Sequence, residues 1–355
     1  MKNICIIVAC FFTLSLLFAA CAETDTPQPT VPETNIETTQ PIQSVSHISD
    51  IVSHGDKSLV LDAEILYPEN IPAAEIVLLP DLEQPVKMAD DFGLTLELDN
   101  DVHESKYTMN DENGNTIRSL TSDKSGCIQY LDIENNINPS RSIDVNHQFD
   151  SYYVTENIPK GMKHTGLEVA TDIAIEFEKY SCFTFIPWNV CAYEASEGQP
   201  DQSCYSVQLM PVYDGIPVSI HSNVQNLTLW VNAKVSNIGI FAFQGTFAFK
   251  HEKTSEKSQP VALDCMIQNL SENFNMLITG EKLTIERISI QYYAQQDKNG
   301  CLVLRPVWVF EGSEYMSSEV TGYEPIVEQF AAVYWADTGA LLDIFNGKMN
   351  TTTVN

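Results

Sequence analysis

Two stretches of apolar residues at helical spacing, each running into alternating strand-like segments, restrict the fold more than any other feature of this sequence. In the first, Leu167, Ala170, Ile173, Ala174 and Phe177 recur along one helix face. In the second, Leu263, Met266, Ile267, Leu270, Phe274 and Leu277 do the same. A helix with one apolar stripe has to bury it, and the strands that follow supply a sheet on which it can lie. After the first helix come Phe183 to Val190 and Tyr205 to Val218; after the second come Leu283 to Tyr293 and Cys301 to Phe310. Asp297-Lys298-Asn299-Gly300 joins the last two as a hairpin, because Asn and Gly tolerate the positive φ that a tight turn demands.

The two sets also share a local pattern. Leu209-Met210-Pro211-Val212-Tyr213 stands 95 residues before Leu304-Arg305-Pro306-Val307-Trp308, each with an aromatic two residues beyond the proline. Proline has no N–H to give to a ladder, so both positions are expected at sheet edges or bulges. Third strands follow at Leu227 to Val235 and at Gln329 to Ile344, the latter interrupted by the turn Ala336-Asp337-Thr338-Gly339. The region before them has strand character at Ser58–Leu66 and Glu75–Leu79. It also carries turns at Glu112-Asn113-Gly114-Asn115 and Asp123-Lys124-Ser125-Gly126. The pattern predicts an α+β chain: a β-rich N-terminal domain at 47–160, then two repeated helix-plus-antiparallel-sheet units at 161–258 and 259–346, with 347–355 as a tail.

The second unit, with its hairpin, Pro306-Val307-Trp308-Val309-Phe310 and Ala336-Asp337-Thr338-Gly339, resembles a PepSY-type module. The duplicated arrangement is similar to that of extracytoplasmic regulatory proteins of the YycH/YycI kind. The whole chain, including Leu59-Val60-Leu61-Asp62-Ala63-Glu64, resembles a family of lipoproteins from Firmicutes. The resemblance implies extracytoplasmic regulation, protein contact or inhibition rather than chemistry, and it transfers no catalytic residue.

The N-terminus carries an address. Lys2 precedes an apolar run from Ile4 to Ala20, broken only by Thr13 and Ser15, which reads as a secretory leader spanning 1–20. It ends in Leu17-Phe18-Ala19-Ala20-Cys21, which resembles a lipobox, so Cys21 is the expected acylation site. Residues 21–46 are rich in Thr, Pro, Gln and Glu and poor in large apolar side chains. They cannot bury enough surface to offset ordering entropy and are expected to form a disordered tether. The membrane is therefore an expected partner through an N-terminal lipid, with the body on the extracytoplasmic face of the cell membrane.

Charge narrows the remaining partners. Nineteen Lys+Arg oppose 48 Asp+Glu, a net charge of −29, which excludes a phosphate-backbone binder and a polybasic membrane-surface protein. Six cysteines remain beyond Cys21, with no CxxC pair, and no histidine stands at zinc-ligand spacing. Cys191 and Cys204 flank a polar stretch and can face each other across two strands, which export would permit to oxidise; burial of all six as small hydrophobes is the alternative. The acidic cluster Asp90, Asp91, Glu97, Asp99, Asp101 and Glu104 lacks the spacing of a calcium loop and reads as a solvated face. No HExxH, Gly-x-Ser-x-Gly, Walker loop or GxGxxG occurs, so no catalytic, cofactor-binding or metal-binding residue is assigned. Aromatics gather in the second half, at Trp188, Tyr193, Tyr213, Trp230, Tyr292, Tyr293, Trp308, Tyr334 and Trp335. Most are expected in the core, with some area left at the surface where adjacent aromatics point to opposite sheet faces. The expected function is that of a non-enzymatic cell-surface lipoprotein binding or regulating an extracytoplasmic protein or wall component. The alternative is a carbohydrate-binding lipoprotein of an uptake or degradation system.

Overall fold

Regular structure begins at Ile42 in the computed structural model, which describes residues 42–54, 56–100, 104–135, 141–144, 152–194, 203–222, 229–278, 280–298, 300–322 and 324–346. In chain order the elements are β1 (Ile42–His54), β2 (Lys57–Pro68), β3 (Ile76–Pro80), α1 (Glu83–Asp91), β4 (Thr95–Asn100), β5 (Glu104–Asn110), β6 (Thr116–Asp123), β7 (Cys127–Asp132), β8 (Arg141–Ser142) and β9 (Tyr153–Val154). Next come α2 (Gly166–Glu178), β10 (Thr184–Glu194), β11 (Cys204–Tyr213), β12 (Ile216–Pro217), β13 (Val231–Ser236), β14 (Gly239–Thr246) and β15 (Phe249–Thr254). Then follow α3 (Leu263–Leu277), β16 (Lys282–Gln296), β17 (Leu302–Met316), the short α4 (Ser318–Thr321), β18 (Ile326–Trp335) and β19 (Leu341–Asn346). Cys21, the leader and the 347–355 tail lie outside the described residues, and β1 starts inside the segment expected to be a tether.

The strands form two sheets. The first runs β1-β2-β16-β17-β18-β19, with β3 on β17 and β15 on β3; the second runs β4-β5-β6-β7-β14-β13-β11-β10-β8, with β9 on β10 and β12 on β11. All described residues belong to one unit, Gln40–Asn355.

This topology overturns the expected α+β series of a β-rich N-terminal domain followed by two helix-plus-sheet repeats. The described chain is mostly β, and each sheet draws strands from distant parts of the sequence. β2 lies parallel to β16, and β7 lies antiparallel to β14. The reason is visible in β2. Leu59, Leu61, Ala63 and Ile65 are buried while Asp62 and Glu64 are exposed, so the strand needs an apolar layer beneath it but specifies no neighbour. It joins Leu283, Ile285, Ile288 and Ile290 of β16 in one core under α3, whose Met266, Leu270, Phe274 and Leu277 form the lid.

Both expected helices are present. Thr165 caps α2 in a reciprocal box with Glu168, which satisfies two N-terminal donors. The prolines correct a second expectation, since neither Pro306 nor Pro211 is on an edge strand. One side of β17 pairs β3 through Leu302–Leu304 and then β18 from Val307 onward, and Pro306 sits where one neighbour gives way to the next. Pro211 occupies the equivalent gap on β11, between its pairing with β13 up to Leu209 and with β12 from Val212. A missing N–H at such a gap breaks no ladder bond.

Gly312 is held by a close approach of backbone. It lies opposite Ile285, beside the bulge between Ile285 and Arg287, and a Cβ there would stand 1.9 Å from the Thr284 carbonyl oxygen. Gly312→Ala is expected to destabilise the protein by about 3 kcal/mol, read as a lowered urea midpoint. An unchanged midpoint would mean that the bulge relaxes freely.

Candidate functional site

The second sheet has two unlike faces. On one, α2 lays Val169, Ala170, Ile173 and Phe177 over the strands, and α1 adds Met88 and Ala89. Phe177 meets Phe243 edge-on at 4.9 Å, and Phe243 stacks on Tyr130 at 5.4 Å. The other face is open to solvent at Gln129, Asn232 and Gln244.

Register turns that open face into a line of amides. Asn189 on β10 pairs Gln208 on β11, Gln208 pairs Asn232 on β13, Asn232 pairs Gln244 on β14, and Gln244 pairs Gln129 on β7. Thr121 on β6 and Lys106 on β5 extend the line, and Glu97 bridges to Lys106 at 2.7 Å. Directly paired residues share a face and stand about 4.5–5.5 Å apart, so five neighbouring strands present a carboxamide in one row. A second row runs Ser206, Lys234, Ala242, Leu131 and Ser119. Part of the two rows, from Asn232 to Thr121 in the first and from Ser206 to Ser119 in the second, lines a concavity of about 430 Å³ that contains no carboxylate, histidine or cysteine. Within the described chain the side-chain amides of Gln208, Asn232 and Gln244 make no hydrogen bond, and Lys234 has no ion-pair partner. Asn189 closes the row beneath the surface, where it accepts from the Cys191 thiol at 3.2 Å.

An aromatic corner ends the rows. Trp188 is the extra residue of the bulge between Pro187 and Asn189, and its ring meets Trp230 at 6.5 Å and Tyr152 at 5.9 Å, both edge-on. Trp188 is buried and its indole N–H has no partner among the described residues, whereas Trp230 is half-buried and Tyr152 exposed. Behind Trp188 lies a charge cluster on the first sheet. The Arg287 guanidinium stands 5.8 Å from the Trp188 ring, and its Nη1 is 4.0 Å from Glu311 Oε2. His221 Nε2 is 3.5 Å from Glu311 Oε1, and Phe345 covers the imidazole at 4.6 Å. Burial pushes the Glu311 carboxyl up, but His221 and Arg287 more than offset this and hold it below the ordinary glutamate value.

The expected cysteine pair is not brought face to face. Cys191 stands opposite Ser206 and Cys204 opposite Tyr193, which sets the two cysteines diagonally on one sheet face, and both are free thiols. Burial, with Asp144 nearby, pushes Cys191 up to about 12, and burial pushes Cys204 up to about 11, so neither is a ready thiolate. Of the adjacent aromatics, Tyr292, Tyr293 and Tyr334 are all buried because both faces of the first sheet are covered there; Trp335 stays half-buried under Arg305 at 4.4 Å. From the acidic cluster, Asp91 accepts the Tyr180 hydroxyl at 2.7 Å, a structural contact. Sequence reasoning missed the amide row altogether, since each amide alone is an ordinary polar position of an alternating strand.

No protein-family profile matches the chain, and no curated protein matches it. Among solved structures, an uncharacterized protein from Eubacterium rectale is similar, with 16% identity, a TM-score of 0.56, and coverage of 84% of this chain and 94% of that chain. The Bacillus megaterium YpeB C-terminal domain is a more distant neighbour at 12% identity and a TM-score of 0.35, covering 76% of this chain and 99% of that one. The first likeness extends to the fold.

Proposed function

We propose that the chain is a non-enzymatic, lipid-anchored protein of the bacterial cell envelope that binds an extracytoplasmic component through the amide-lined face of its second sheet. The carboxamides of Gln208, Asn232 and Gln244, which make no hydrogen bond within the described chain, carry this reading. Carboxamides donate and accept hydrogen bonds but do not titrate near neutral pH, so they suit recognition rather than proton transfer or nucleophilic attack. The apolar leader ending at Cys21 supports placement of this surface outside the cytoplasm, and no helix of the described residues is long and apolar enough to cross a membrane.

Detergent-solubilised full chain is expected to co-sediment with cell-envelope fragments. The double variant Asn232→Arg/Gln244→Arg is expected to stay in the supernatant while keeping the wild-type melting midpoint, because both side chains are exposed. Equal sedimentation of the two proteins, or none of either, would refute the proposal.

A further inference from the structure

We infer that the occupant of this face is an uncharged, extended β-linked glycan lying across the strands along the amide row, an inference that rests on the binding role proposed above. Each carboxamide offers a donor and an acceptor side by side, which matches a pair of neighbouring sugar hydroxyls, themselves donors and acceptors. Gln208, Asn232 and Gln244 hold these groups with no competing side-chain partner within the described chain.

Adjacent strands are spaced about 4.8 Å apart, so the row repeats its amide at about that interval. This approximates the advance of one sugar along an extended β-linked chain, so each sugar comes to stand over one amide. From Gln208 on β11 to Gln129 on β7 the accessible part of the row spans about 14 Å, room for about three sugars. A peptide added as a strand needs a free sheet edge, and β11, β13 and β14 are each paired on both sides. The exposed side chains of the concavity are Gln129, Asn232, Lys234 and Gln244, groups that hydrogen-bond hydroxyls.

In a chain of net charge −29 the lining of the concavity holds no carboxylate and a single cation, Lys234. The absence of carboxylates leaves a cationic ligand without a counter-charge, and one lysine is too little to hold a polyphosphate. Trp230 lies two residues before Asn232, half-buried beside the middle of the row, where its ring can cover the apolar C–H face of a bound sugar.

The test uses full chain in detergent with cellohexaose and chitohexaose as probes, read by calorimetry and tryptophan fluorescence. At least one hexasaccharide is expected to bind, with cellobiose weaker. Asn232→Ala and Gln244→Ala are each expected to weaken binding about fivefold to tenfold, and Trp230→Phe to remove the fluorescence change. Envelope fragments are expected to retain the protein after protease digestion and to lose it after glycan-hydrolase digestion. Three results would overturn the glycan: equal binding of the α-linked maltohexaose, hexasaccharide binding indifferent to Asn232→Ala and Gln244→Ala, or envelope retention that protease abolishes and glycan hydrolase leaves intact. The last would leave the binding role standing with a protein partner, whereas failure of the envelope sedimentation would remove the role itself.

Discussion

Trp308→Ala is expected to destabilise the protein by about 4 kcal/mol, the largest single effect of any substitution considered. Trp308 is only 1% exposed, near the middle of β17, paired with Ile290 on one side and Tyr334 on the other. Its ring meets Tyr67 edge-on at 5.7 Å, and its indole N–H donates to the Val261 carbonyl at 3.1 Å, just ahead of α3. Truncation therefore empties a cavity under the helix and leaves a carbonyl without its donor. Trp308→Phe keeps most of the volume and loses the hydrogen bond, so about 1–2 kcal/mol is expected for it. Urea denaturation of the three proteins measures both values. A Trp308→Ala loss no greater than that of Trp308→Phe would show that packing does not dominate at this position.

The second large effect is expected at Glu311. Glu311→Ala leaves Arg287 beside Trp188 and His221 beneath Phe345 without the carboxylate that both face, and about 2–3 kcal/mol of destabilisation is expected. Its pH dependence has a definite sign. The folded Glu311 carboxyl titrates below the ordinary glutamate value of about 4.3, so its contribution is full above that value and is lost as pH falls through the lower folded one. Glu311→Gln removes that titration while nearly keeping the shape. Between neutral pH and the acid range, wild type is therefore expected to lose stability more steeply than Glu311→Gln. Parallel stability–pH curves for the two proteins would contradict the assigned role of His221 and Arg287.

Legibility varied with the range of the interaction concerned. The turn before β7 was readable because Gly126 adopts a φ of +84°, a conformation that glycine reaches at no steric cost, and Gly114 does the same before β6. The Pro211 and Pro306 pattern was visible as a pair, yet its meaning was misjudged: a central strand can tolerate proline where its neighbour changes, and that change depends on β3 and β12. Cys191 and Cys204 lie on adjacent strands as expected, but the two-residue offset between them is a property of register and has no local signature. The amide row was unreadable for the same reason. Asn189, Gln208, Asn232, Gln244 and Gln129 come from five different strands, and only their alignment makes them a surface.

By itself the sequence determined the extents of α2 and α3 and the places of the turns, which depend on residues within a few positions of each other. Tertiary structure alone decided that β1–β3 complete the last sheet rather than a domain of their own, and that β4–β7 carry the open face outward from β14. Alternation tells a strand which side to bury; it does not say which strand to lie beside. That choice is made by the whole core at once, and it aligned five unremarkable amides across one sheet.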